Sequence, residues 1–214
     1  MSNPVINAQL SALLAEGLKT AAVPMSASQQ EKLLRYVVLL DKWNKTYNLT
    51  AVREPERMIG LHILDSLAVL PFIGATRVLD VGTGGGLPGI PLAIARPDLS
   101  ITMLDSLQKK TTFVRQAIGE LALKNARVVC ERVEQFQTQK KFNIVISRAF
   151  AELGDFVKGA AHLVEEDGRM FAMKGVYPHD EIARLPETHR VEQVIELSVP
   201  QVEGGRHLVV LTKA

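Results

Sequence analysis

The stretch R-V-L-D-V-G-T-G-G-G-L-P-G-I-P, running from Arg77 to Pro91, decides the fold. It opens with a short apolar run of strand character (Val78, Leu79, Asp80, Val81) and then breaks into glycines at positions 82, 84, 85, 86 and 89. Pro88 and Pro91 stand near the start of the apolar segment that follows, and proline is well tolerated in the first turn of a helix. Strand, glycine-rich turn and helix N-terminus in succession form the nucleotide-gripping corner of a doubly wound α/β fold. A plain turn needs one or two glycines, so this density points to a bound ligand.

The glycines alone leave the nucleotide open. Gly84, Gly86 and Gly89 satisfy G-x-G-x-x-G, the dinucleotide fingerprint. Against that reading stands Asp80, a carboxylate at the strand end. Beside a pyrophosphate it would be repulsive, and beside a cationic ligand it would be favourable. S-adenosyl-L-methionine (SAM) is such a ligand, with an ammonium, a sulfonium and no phosphate. The D-x-G-x-G-x-G order, with Gly82 and Gly84 inside it, therefore reads as a SAM loop ahead of a nicotinamide or flavin loop.

Working outward, the period on the C-terminal side is that of strands. Candidates lie at 78–81, 100–104, 127–131, 142–147, 169–174, 191–199 and 207–212. Helical stretches at 90–96, 109–123 and 153–164, with a short turn near 133–136, separate the first five, and this alternation implies parallel βαβ units. The last two strands are joined by only 200–206, with Gly204-Gly205 at the turn. That is too short for a crossover, so the pair should be an antiparallel hairpin. The expected fold is α/β: a class I SAM-dependent methyltransferase (Rossmann-like) with a seven-stranded, mostly parallel sheet, an antiparallel last strand and N-terminal helices.

On the N-terminal side the spacing is helical. Leu10, Leu13, Leu14 and Leu18 predict a first helix over 6–18. Ser28 and Glu31 fit a capping box opening a second, striped with Leu33, Tyr36, Val37, Leu40 and Trp43. Pro55 suits the first turn of a third, reaching about residue 70. In it His62, Asp65 and Ser66 share one face, which pattern alone reads as polar helix surface. The chain thus divides into an N-terminal helical region, 1–72, and a SAM-binding Rossmann-like domain, 73–214.

Ligands of doubly wound sheets sit at the carboxyl ends of the strands. The second strand ends in Asp105, whose carboxylate can accept both ribose hydroxyls or, alternatively, cap the helix opening near Lys109. The third ends in Glu131-Arg132-Val133-Glu134. In a SAM fold a backbone N–H and a polar side chain at this position read the adenine edge, though Glu134 also suits a solvated turn. The fourth ends in Ser147-Arg148-Ala149-Phe150, beside the place of methyl transfer. It lacks the Asp/Asn-Pro-Pro-aromatic motif of exocyclic-amine methylation. Cys130 falls inside a strand and reads as a buried, inert thiol rather than the nucleophile of carbon-5 cytosine methylation. A ring nitrogen or an oxygen remains as the methyl acceptor. Arg148 suits a phosphate, a base, a cofactor-loop acid or a structural ion pair. Lys174 and Arg206 are expected near the same edge.

The 214 residues, 47% hydrophobic, are enough for one full core and a small appendage. No apolar run approaches the ~18 residues of a membrane span, and the first twenty or so residues lack the pattern of a secretory signal. One cysteine excludes an internal disulfide framework and fits a reducing compartment, so a cytoplasmic location is expected; the oligomeric state expected is a monomer. A formal charge of +2 permits an RNA partner without demanding one. Five scattered histidines offer no metal cluster, and no nucleophile elbow is present.

The chain resembles the bacterial ribosomal RNA small-subunit methyltransferase G family, formerly called glucose-inhibited division protein B, over nearly its whole length. The likeness is carried by Asn48-Leu49-Thr50-Ala51, His62-Ile63-Leu64-Asp65-Ser66, and Asp80 through Gly89 with the Ile90-Pro91 continuation. Further matches are Leu104-Asp105-Ser106, Arg132-Val133-Glu134, Ser147-Arg148-Ala149-Phe150, Lys174-Gly175 and Arg206-His207-Leu208. The resemblance implies SAM-dependent methylation of N7 of one guanosine in the decoding region of 16S rRNA, either as free rRNA or within the small ribosomal subunit. It also implies that Gly82, Leu87, Val133, Glu134 and Arg148 contact SAM, and that His62, Asp65 and Ser66, as a shared motif, face the domain junction near the site rather than solvent. Lys109, Lys110, Arg115, Arg132, Arg206, Arg53 and Arg57 are the candidates for phosphate contact.

Overall fold

The computed structural model describes residues 8–74, 76–148, 150 and 152–214. The first two positions expected in the opening helix, Ile6 and Asn7, lie outside the described residues, as does Ala149. Helix α1 (Ala8–Thr20) and α2 (Ala27–Tyr47) precede α3 (Pro55–Met58), which runs through a π-helical stretch (Ile59–Leu64) into α4 (Asp65–Leu67). The sheet then begins with β1 (Arg77–Val81), followed by α5 (Gly89–Ala95), β2 (Ser100–Asp105), α6 (Gln108–Glu120), β3 (Ala126–Cys130) and β4 (Phe142–Ser147). Next come α7 (Leu153–Ala160), β5 (Val164–Lys174), α8 (His179–Ala183), β6 (His189–Glu196) and β7 (His207–Lys213).

The seven strands form one sheet in the order β3-β2-β1-β4-β5-β7-β6. Strands β1 to β5 pair in parallel, and β7 runs antiparallel to both β5 and β6. Leu197 donates its N–H to Arg206 O at 2.7 Å and closes the expected hairpin. A central parallel strand is covered on both faces, so its sequence reads as an unbroken apolar run. Val78 and Leu79 of β1 are fully buried, as are Val145 and Ile146 of β4.

Two apolar clusters flank the sheet. One joins Val78, Ile101, Ile144 and Phe113 with Leu14, Leu33, Leu40 and Ile63 of the N-terminal helices. The other packs Leu79, Val81 and Val145 against Phe156 and Val157 of α7. The N-terminal helices thus share one continuous apolar cluster with a face of the sheet.

Two local expectations are corrected. Helix α2 is capped by Ser26 with Gln29, two residues earlier than the Ser28–Glu31 box. Both serines fit the pattern, but the Gln29 side-chain amide also donates to Ile94 O and Ala95 O, each at 3.0 Å, at the end of α5. Tertiary docking selects the register. Cys130 is exposed rather than buried, because β3 is an edge strand with intermediate or exposed side chains.

Candidate functional site

The glycine stretch after β1 turns so tightly that Gly82, Gly84 and Gly86 all take positive φ, at 68°, 59° and 92°. Residues with a Cβ rarely adopt that conformation. The turn is held from below by Asp80, which is completely buried. Its Oδ2 accepts from Thr83 Oγ1 at 2.6 Å and from Gly89 N–H at 2.8 Å. Burial pushes the carboxyl up to about 6, against the opposing pull of those two hydrogen bonds. The sequence-based reading set Asp80 facing a cationic ligand. Instead the carboxylate is turned under the loop, where it orders the glycine backbone.

A second clamp comes from α2. Tyr36, fully buried, donates its hydroxyl to Gly85 O at 2.6 Å. Burial raises the phenol well above its ordinary value, so it stays protonated as the donor. Sequence reasoning placed Tyr36 in an apolar stripe, and nothing in the pattern marks its hydroxyl.

Asp105, at the end of β2, is buried at 6% exposure and accepts from Gly84 N–H and from Leu107 N–H, each at 3.0 Å. Lys110 Nζ lies 3.6 Å from its Oδ2. Asp105 therefore joins the glycine loop to the turn that precedes α6, although it is not the cap of that helix, whose N-cap residue is Leu107. Lys110, expected among the phosphate contacts, stands beside it.

Around Asp105 opens a cleft of about 280 Å³ lined by Gly82, Leu107, Lys110, Val133, Glu134 and Phe150, among others. Gly82, Asp105, Val133 and Glu134 are brought together there, from the ends of β1, β2 and β3. Gly84 reaches its edge through the Asp105 bond, while Leu87 is buried in the core next to the loop. The lining by Leu107 was not anticipated from sequence, because it depends on how the turn after β2 folds back, whereas Phe150 was expected beside the site and Lys110 as a phosphate contact.

Arg148 is not among that lining. Its Nη1 donates to Asp65 Oδ2 at 2.8 Å and to Leu61 O at 3.2 Å. Asp65 also holds Arg206, whose Nε is 3.2 Å from Oδ1. His62 joins the group: its Nε2 is 2.9 Å from Thr50 Oγ1, and burial with the adjacent Arg148 lowers the imidazole to about 4. Ser66 donates to His62 O at 2.5 Å. The shared face of His62, Asp65 and Ser66 exists, but it is buried against the sheet and is not a polar surface. Among the described residues no group of three or more histidine, cysteine, aspartate or glutamate side chains is placed to hold a metal ion. No described helix is long and apolar enough to cross a membrane.

Comparison with known proteins agrees with this geometry. The family model described as rRNA small subunit methyltransferase G matches residues 29–209. The protein named Ribosomal RNA small subunit methyltransferase G from Laribacter hongkongensis is 56% identical over 198 residues, covering 92% of this chain and 96% of that protein. Its namesake from Escherichia coli K12 is 52% identical over 194 residues, covering 91% and 94%. A SAM-dependent methyltransferase from Aquifex aeolicus has a similar structure, with a TM-score of 0.61 at 18% identity, covering 78% of this chain and 97% of the other. The O-methyltransferase TomG from Streptomyces achromogenes, solved in complex with SAM, gives 0.58 at 14% identity, covering 94% and 96%. At such identities these two structures establish the fold alone, a class I Rossmann-like methyltransferase.

Proposed function

The chain belongs to the rRNA small subunit methyltransferase G family, and from that premise we propose that it methylates N7 of a guanosine in the decoding region of 16S rRNA, with SAM as donor. The observation that carries the reading is the family match across 29–209, which takes in every strand end lining the cleft. Ribosomal RNA is a cytoplasmic substrate, so the reading sets the chain there, acting as a monomer on free rRNA or the small subunit.

The donor set of the cleft suits SAM. Asp105 and Glu134 line it as carboxylates, which suit a ligand with hydroxyls and positive charge, while Leu107, Val133 and Phe150 would supply apolar walls for a purine ring. When bound, SAM supplies an electrophilic methyl carbon on its sulfonium. Asp105 would accept from the ribose hydroxyls, and Glu134 with the Val133 backbone would read the adenine edge. Gly82 and Gly84 leave room for close approach, Leu87 backs the loop, and Arg148 would contact the donor from its partnership with Asp65.

Guanine N7 carries an in-plane lone pair and no proton, so the residues of the chain have to align the reactants and exclude water rather than remove a proton. Alignment of this kind is worth up to ~7–11 kcal/mol of the barrier. The N7 edge faces the deep groove of A-form RNA, which side chains cannot reach, so the target base lies in a loop or is extruded. The test is transfer of labelled methyl to 16S rRNA or 30S particles from cells lacking this protein. Borohydride–aniline cleavage then maps the product. One new cleavage site in the decoding region is expected; label in the protein fraction, or none in RNA, overturns the reading.

A further inference from the structure

Beyond Arg148 lies a second cleft, of about 400 Å³, lined by Val52, His62, Asp65, Lys174, Arg206 and His207, among others. Its polar floor is fixed: Asp65 is held between Arg148 and Arg206, and His62 is anchored on Thr50. Two arginines on one carboxylate leave that corner net cationic, which suits phosphates flanking a nucleotide. An aromatic group adjoins the cleft through His207. Tyr177, in the segment between β5 and α8, has its ring centroid 4.2 Å from that of His179 and 5.6 Å from that of His207, the latter edge-on at 82°.

This aromatic group does not belong to the core. Tyr177 is 39% exposed, and its neighbour Val176 is 80% exposed. It is nevertheless held to the sheet, because His207 is the register partner of Lys174 across β5 and β7. His207 Nδ1 is buried with no hydrogen-bond partner among the described residues, and His207 itself lines the cleft. An exposed ring packed edge-on against His207, which itself lines a cationic cleft, has the properties of a base-stacking platform: every nucleobase offers a π-face, and aromatic side chains are the usual partners of unstacked RNA bases.

We propose that Tyr177, braced by His179 and His207, stacks on a nucleobase of the RNA substrate as it enters this second cleft. The inference rests on the RNA-methyltransferase reading and adds to it a residue outside the donor cleft. Its test compares Tyr177→Ala and Tyr177→Phe with the wild-type protein in methyl transfer to 30S particles and to 16S rRNA, with SAM affinity measured separately by calorimetry. Tyr177→Ala should lose about tenfold in kcat/KM for the RNA. Tyr177→Phe should stay within about twofold of wild type, and all three should bind SAM alike. The proposal is overturned if Tyr177→Ala methylates as well as wild type, if the phenylalanine variant falls as far as the alanine one, or if the loss tracks weakened SAM binding. Absence of transfer by the wild-type protein to either RNA would instead sink the functional reading itself, and this inference with it.

Discussion

Gly89 donates its N–H to the buried Oδ2 of Asp80 at 2.8 Å, which ties the start of α5 to the end of β1. The bond forms only because position 89 has no side chain. A Cβ there would stand 2.5 Å from Met103 Cγ and 2.8 Å from that same Oδ2. Met103 is fully buried, so its side chain could move aside only by repacking the core. Gly89→Ala should therefore cost about 1–3 kcal/mol, the usual range for overpacking a filled core. A urea titration measures it: a midpoint equal to wild type would mean that the helix moves away without cost.

Two buried groups set opposite pH dependences in one window. Asp80 is raised from 3.8 to about 6, so its contribution to stability is fully present below pH 3.8 and is lost as pH rises through 6. His62 is lowered from 6.5 to about 4, so its contribution is fully present above pH 6.5 and is lost as pH falls through 4. Each amounts to at most about 3–3.5 kcal/mol, and the two offset each other between pH 4 and 6.5. Asp80→Asn should steepen the rise of stability with pH across that window, and His62→Gln should reverse the slope. Denaturation midpoints measured at half-unit steps test both. Parallel curves for all three proteins would rule out this assignment.

What the sequence reveals follows from where each residue's partners lie. The glycine loop and the central strands are set by their own residues: a run of positive φ values favours glycine, and burial on both faces favours apolar side chains. Asp80 is conspicuous in the sequence, but the direction of its carboxylate depends on Gly89 closing the loop nine residues later. Tyr36 bonds Gly85 across 49 positions, and no periodicity encodes a contact of that kind. Cys130 misleads because an edge strand and a central strand have similar sequences. Asp105, Val133 and Glu134 were legible as strand ends, since the fold rule fixes where those ends meet; Arg148 was legible as a strand end too, but its contact with Asp65 comes from a helix 83 residues away.

The Tyr36 bond has a measurable worth. Tyr36→Phe keeps the ring packed near Phe113 but leaves Gly85 O without this donor inside the protein. The expected loss is about 1–3 kcal/mol of stability, the cost of an unsatisfied buried acceptor. Because Gly85 sits within the loop, SAM affinity should fall as well. Calorimetric titration alongside thermal melting separates the two effects. Unchanged affinity with lowered stability would mean that the loop keeps its shape without this clamp.

Asp65 and Arg148 differ in what their removal strands. Arg148→Ala leaves the Asp65 carboxylate still paired with Arg206, 3.2 Å away. Asp65→Ala leaves two guanidinium groups in the same largely buried corner with no carboxylate between them, a case that costs about 3–5 kcal/mol. Asp65→Ala should therefore destabilise the protein more than Arg148→Ala does. The double variant should be less unstable than the sum of the two, since the second change removes one stranded charge. Urea midpoints of the three variants decide this: equal single costs that simply add would show that the two arginines do not share Asp65. SAM affinity of Arg148→Ala, read on the same samples, tests whether Arg148 also holds the donor. If affinity stays at the wild-type value while stability falls, its work is confined to the pair with Asp65.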